Sequence, residues 1–133
     1  MNKIIVLGNG YIGSKAYKYL FNTIGNIHDV VHLSNYKYNE PESLKETLFN
    51  NVLSEFRGTQ IKWIVNCVGY TGKPNVDACE ENKQICWDLN VTFPTVLAQF
   101  CKQYDIKLIN VSSGCIYDGP ENVLYTEEDE PNF

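Results

Sequence analysis

The chain has 133 residues, 44% of them hydrophobic and 20% charged, with a formal net charge of −5. That length fits one domain with a core of its own, and the acidic balance argues against a nucleic-acid surface. No apolar run approaches the roughly 20 residues of a membrane span, and no charged-then-apolar leader opens the chain, so a cytoplasmic setting without membrane contact is expected.

The five cysteines, Cys67, Cys79, Cys86, Cys101 and Cys115, are odd in number and contain no C-x-x-C pair. Neither a disulfide framework nor a metal site is expected from that spacing. Cys67, Cys79, Cys86 and Cys101 read as packing residues. The acidic run Glu127, Glu128, Asp129 and Glu130 reads as a solvated loop.

Residues 3–7 form a short apolar run suited to a strand buried on both faces. Ile12, Ala16, Leu20 and Ile24 then recur at four-residue spacing, one face of a helix that Gly25 ends. Asp29 to Leu33 gives a second strand. Asn39-Glu40-Pro41-Glu42 announces another helix, with Leu44, Leu48, Val52 and Phe56 on its buried face and Gly58 as its stop.

Ile61 to Val68 is a third buried strand. Asp77 and Glu80 have capping-box spacing. Ile85, Leu89, Phe93, Val96, Leu97, Phe100 and Tyr104 follow as a long amphipathic helix, interrupted at Pro94 by a kink or a late start. Ile106 to Val111 is the last strand, and from Asp118 onward a loop is expected. Strand alternating with helix predicts an α/β fold, a Rossmann-type parallel sheet with helices on both faces. Right-handed crossovers predict the spatial order second, first, third, fourth strand.

Gly8-Asn9-Gly10-Tyr11-Ile12-Gly13 has the G-x-G-x-x-G form, and it lies between a strand and a helix, where that form carries meaning. Gly8 suits a tight turn, Gly10 a close backbone approach to a pyrophosphate, and Gly13 close helix packing. Tyr11 and Ile12 begin the helix whose N-terminus would face the phosphates. About 20 residues on, where NAD sites place a carboxylate, the chain has Leu33-Ser34-Asn35-Tyr36-Lys37. Ser34 and Asn35 can donate hydrogen bonds and Lys37 brings a cation, so NADP(H) is expected ahead of NAD(H).

Ligands of such sheets sit beyond the C-terminal ends of the strands. Asn66, Cys67 and Val68 lie at one such end, beside the expected adenosine ribose. Ser112-Ser113-Gly114-Cys115 lies at another, where a hydroxyl and a thiol can share one small volume.

Three stretches carry a resemblance: Val65 to Glu80, Leu108 to Tyr117, and Glu127 to Phe133. Through them the chain resembles the extended short-chain dehydrogenase/reductases. Within these it resembles the dTDP-4-dehydrorhamnose reductase group and the UDP-4-keto-6-deoxyglucose 3,5-epimerase/4-reductases. That resemblance implies a nucleotide-linked 4-keto-6-deoxy sugar as substrate. It places Ser113 on the residue that hydrogen-bonds the C4 carbonyl, and Cys115 on the acid/base of epimerisation. Asn90 falls near the cofactor, and Lys73 and Asn75 on a loop near the substrate. Asp77 is expected to cap a helix instead.

No Tyr-x-x-x-Lys pair follows Ser113. Residues 1–133 are therefore expected to be the N-terminal cofactor-binding portion of a larger enzyme, inactive alone, with homodimerisation a further expectation. A non-catalytic NADP-binding regulatory module and an NAD-dependent sugar epimerase or dehydratase are the competing readings.

Overall fold

A computed structural model of the chain describes residues 2–34, 60–113 and 116–132. Four strands, β1 (Lys3–Leu7), β2 (Asp29–Leu33), β3 (Ile61–Asn66) and β4 (Lys107–Asn110), form one parallel sheet in the order β2-β1-β3-β4. This is the expected α/β arrangement and strand order. The helix predicted after Asn39 lies outside the described residues.

β1 is the centre of the core because every one of its residues is buried. Ile5 and Leu7 face one side, where Ile61 and Ile64 of β3 meet Phe93, Leu97, Phe100 and Cys101. Ile4 and Val6 face the other with Val65, and there Ala16, Tyr17, Leu20 and Ile24 cover them. Period-2 alternation within β1 thus feeds two apolar layers, and helices lie on both faces.

One helix, α1 (Tyr11–Ile24), joins β1 to β2. Of its predicted apolar face, Ala16, Leu20 and Ile24 pack as expected, but Ile12 is 51% exposed. The helix starts past the end of β1, so its first turn has no strand beneath it.

The helix expected after β3, with a kink or late start at Pro94, is broken twice: next to that proline and also at Asn82. It runs as α2 (Ala78–Glu81), α3 (Lys83–Trp87), one π-helical turn (Asp88–Thr92) and α4 (Phe93–Gln103). The first break is at Asn82, whose φ of −123° and ψ of 43° leave the helical region. The second prepares for Pro94, which has no N–H to donate. Just before it, the Phe93 N–H reaches back to the Asp88 carbonyl, five residues away. Asp77 adopts helical angles and its carboxylate makes no capping bond, contrary to expectation. Asn75 Oδ1 accepts the Asp77 N–H instead, at 3.1 Å.

Strands β3 and β4 end one or two residues early. For β3, Asn66 is the reason: its side chain is buried, and its Oδ1 accepts the Val68 N–H at 3.1 Å, which turns the chain out of the ladder. Beyond β4, residues 116–132 form the expected loop, but it is tied internally. Tyr117 and Tyr125 stack with centroids 4.7 Å apart, and Tyr125 Oη donates to the Asp118 carbonyl at 2.9 Å. Asp129, read as merely solvated, accepts from Thr126 N–H and Oγ1 at 2.7 and 3.0 Å. Among the described residues no helix is long and apolar enough to cross a membrane.

At the opposite end of the sheet, buried Lys3 of β1 pairs with Asp29 of β2 at 3.0 Å. The two are register partners, so the contact is built into the strand pairing. Asp29→Ala removes this partner from a buried ammonium and is expected to cost about 1.5–3 kcal/mol. The double variant Lys3→Met with Asp29→Ala should recover most of it in urea unfolding.

Cys101 sits in the Phe93–Phe100 layer, and burial pushes its thiol up to about 11 from 9.0. The folded state therefore holds this proton when the unfolded chain has lost it. The resulting stability is present below pH 9 and lost as pH rises toward 11. While it is being lost, the slope is roughly 1.4 kcal/mol per pH unit. Comparing urea midpoints of wild type and Cys101→Ala between pH 8 and pH 11 should show a shallower decline in the variant.

Candidate functional site

Leu33, Leu7, Asn66 and Asn110 are register neighbours across all four strands. They form the C-terminal rim of the sheet. Residues 8–13, 34, 67–72 and 111–113 all leave from that rim, so the described site residues predicted on those segments fall along one edge, while Lys73, Asn75 and Asn90 lie on the turn and helix that follow β3.

The glycine loop is held from beneath. The Gly8 N–H donates to the Leu33 carbonyl at 3.4 Å, and the Cys67 N–H to the Leu7 carbonyl at 3.0 Å. Gly8 has a φ of +101°, and a Cβ there would lie 2.9 Å from the Cys67 carbonyl. Glycine is required both for the turn and for the backbone contact. A Cβ on Gly13 would lie 2.2 Å from the Gly8 carbonyl oxygen, so α1 touches the loop directly.

Gly10 differs. Its φ of −70° and ψ of −176° suit any residue, and a Cβ would meet no described atom within 4 Å. Neither backbone strain nor packing among the described residues asks for glycine at that position.

Gly10 is also the N-cap of α1, with no side-chain cap and no acidic residue in the first turn. The first intrahelical donor is Ser14 N–H, to the Gly10 carbonyl at 3.0 Å. Tyr11, Ile12 and Gly13 therefore turn their N–H groups toward the rim at the positive end of a 14-residue helix. Tyr11 is exposed, with Lys15 Nζ 5.6 Å from its ring centroid. Such a terminus can hold an anion.

His32 was not singled out from sequence, yet its Nε2 lies 2.7 Å from the Gly8 carbonyl oxygen. A carbonyl only accepts, so Nε2 carries the proton. Tyr17 stacks on the His32 ring at 4.9 Å, which ties α1, β2 and the glycine loop together. The available signal was a polar residue one position short of the strand end. Ser34 is half-buried just beyond that end, while Asn35 and Lys37 lie outside the described residues.

At the end of β3, Asn66 Nδ2 donates to Asn110 Oδ1 at 2.7 Å. With its Val68 contact this commits the Asn66 side chain to bracing the rim. Cys67 is half-buried on the α1 side, and burial raises its thiol. Val68 packs on the opposite layer. Asn90 holds the loop beyond them. Its Oδ1 accepts the Tyr70 N–H at 2.9 Å and its Nδ2 donates to the Tyr70 carbonyl at 2.8 Å. The π-helical turn aims this amide, as π turns frequently do at functional sites.

Lys73 and Asn75 are exposed on the following turn, with the Asn75 amide engaged by Asp77. Ser113 is exposed three residues past β4. Cys115 lies outside the described residues. The geometry thus brings together the glycine loop, Ser34, residues 66–68, Asn90 and the chain leading to Ser113. Among the described residues no cluster of three or more His, Cys, Asp or Glu could hold a metal ion.

The family described as the RmlD substrate binding domain matches residues 2–132. A trifunctional UDP-glucose 4,6-dehydratase/UDP-4-keto-6-deoxy-D-glucose 3,5-epimerase/UDP-4-keto-L-rhamnose-reductase of Arabidopsis thaliana is 34% identical over 89 residues, 62% of this chain and 13% of that protein. A bifunctional dTDP-4-dehydrorhamnose 3,5-epimerase/reductase of the same plant is 32% identical over 89 residues, 62% of this chain and 30% of its own length. A dTDP-4-dehydrorhamnose reductase of Mycobacterium tuberculosis is 36% identical over 56 residues, 42% of this chain and 17% of that enzyme. The matched part is thus at most a third of each of these relatives.

Proposed function

Because the chain belongs to the RmlD substrate binding domain family, we propose that it is the cofactor-binding part of an NADPH-dependent nucleotide-sugar 3,5-epimerase/4-keto-reductase that makes a rhamnose nucleotide. The observation that carries this reading is Gly10. Among the described residues no contact calls for a bare backbone there, and a pyrophosphate lying against it does.

The residues present fit a nicotinamide dinucleotide. The N–H groups of Tyr11, Ile12 and Gly13, which begin α1 and take no partner among the described residues, would receive the pyrophosphate, with the helix end supplying partial positive charge. Backbone groups of Asn66, Cys67 and Val68 would line the adenosine ribose, and Asn90 would keep the loop at Tyr70 in place beside it. When bound, the dinucleotide supplies hydride to a ketone carbon. Ser113 would hold the ketone oxygen, and Cys115 would take and return the proton on the neighbouring carbon. Lys73 and Asn75 would border the nucleotide-linked sugar.

Ser34, Asn35 and Lys37 carry the preference for the 2′-phosphate, since no carboxylate stands between Leu33 and Lys37 to repel it. Calorimetric titration of the chain with each dinucleotide should give tighter binding for NADPH than for NADH. Tighter NADH binding would overturn the phosphate preference, and no binding of either would overturn the cofactor reading.

A further inference from the structure

Cys79 and Cys86 were read from sequence as separate packing residues, but their Sγ atoms lie 2.9 Å apart. Seven residues along a continuous helix span about 10 Å of rise, too far for two thiols to meet. The break at Asn82 removes that obstacle by redirecting the chain between α2 and α3. Asn82 Nδ2 fixes the break by donating to the Ala78 carbonyl at 2.8 Å. Both cysteines are free and half-buried, so solvent reagents can reach them.

The pair also touches the rim. Asn90 Nδ2 donates to Cys86 Sγ at 3.3 Å while the same amide holds Tyr70. We propose that Cys79 and Cys86 are a reversible disulfide site whose state is passed through Asn90 to the loop at Tyr70.

The oxidant is a small-molecule disulfide. One protein thiolate attacks it, forms a mixed disulfide and expels one small thiol. The second protein thiolate, already adjacent, displaces the other small thiol and closes the Cys79–Cys86 bond. Two protein thiols lose two electrons in total, the small disulfide gains them, and the two protons end on the released thiols. Closure draws the sulfurs from 2.9 Å to about 2.05 Å, which shifts the atom that Asn90 uses as a third contact. The Cys79 thiol is raised to about 11, first by its hydrogen bond with Cys86. Cys79 therefore brings none of the thiolate stabilisation that makes a disulfide strongly oxidising.

This inference stands apart from the cofactor reading, and its test needs no dinucleotide. The purified chain is equilibrated with reduced and oxidised glutathione at pH 8.5, quenched by alkylation and mapped by mass spectrometry. Exchange of the Tyr70 amide hydrogen is followed by NMR in both states. A Cys79–Cys86 crosslink is expected, with the free thiols falling from five to three and Tyr70 exchange changing several-fold. In Cys86→Ser, the crosslink should vanish and Tyr70 exchange should ignore glutathione. If that variant fails to fold, phenylarsine oxide on wild type replaces it and should bridge these two thiols with one arsenic. Separate glutathione adducts on Cys79 and Cys86, or no reaction at either, would overturn the site. A crosslink with unchanged Tyr70 exchange would overturn the coupling.

Discussion

Gly10→Ala is expected to weaken NADPH binding by about 10- to 100-fold while leaving the fold intact. A methyl group pressed into a close-fitting contact costs about 1–3 kcal/mol, and each 1.4 kcal/mol is tenfold in affinity. The same methyl meets no described atom of the protein, and the backbone at Gly10 is extended. The stability cost is then limited to replacing a glycine N-cap, below about 1 kcal/mol.

Gly8→Ala and Gly13→Ala should behave in the opposite way. At Gly8 the positive φ and the 2.9 Å approach to Cys67 both resist a side chain. At Gly13 the obstacle is the Gly8 carbonyl oxygen itself, at 2.2 Å. Each should cost about 2–3 kcal/mol or more, in the range for strained backbone and overpacking, and melting temperature should fall by roughly 5–15 °C. Thermal melts and calorimetry on the three variants separate the roles. If Gly10→Ala binds NADPH as wild type does, the pyrophosphate does not lie against Gly10.

Placed in a full-length enzyme of the family, Cys115→Ser should suppress solvent-deuterium incorporation into the 4-keto sugar and spare NADPH binding. A 4-keto group acidifies the hydrogens on C3 and C5, and a thiol–thiolate pair can remove and return them. Some direct reduction without epimerisation should persist. Ser113→Ala should slow both deuterium exchange and hydride transfer, by about 10- to 1,000-fold, because the carbonyl oxygen carries negative charge in both steps. Exchange is followed by NMR and reduction by NADPH absorbance. A Cys115→Ser enzyme that exchanges normally and only loses about 1 kcal/mol of stability would leave a plain 4-keto-reductase.

The parallel sheet, its strand order and the glycine loop were legible in the chain because each rests on local pattern. Val6 and Leu7 sit in an unbroken apolar run, and two-sided burial of β1 follows from it. The loop was legible because Gly8, Gly10 and Gly13 fall between that run and a helical period. Sequence alone also placed Ser34, Asn66 to Val68 and Ser113 at strand ends, since strand direction fixes which end each loop leaves.

What the sequence could not decide were contacts between residues far apart along it. Asn66 meets Asn110 and Asn90 meets Tyr70 only after the sheet and the π-helical turn are formed. His32 reaches Gly8 because β2 and β1 are register neighbours, not because of any local spacing. Asp77 had the spacing of a cap, but Asn75 captured its N–H first. Pro94 announced an interruption of the apolar period over residues 85–104, but hydrophobic spacing registers neither the break at Asn82 nor the π-helical form of the turn before Pro94. Those two departures bring Cys79 to Cys86 and aim Asn90 at Tyr70. Side-chain amides and thiols carry little periodic signal, so the partner each one takes is settled by tertiary packing.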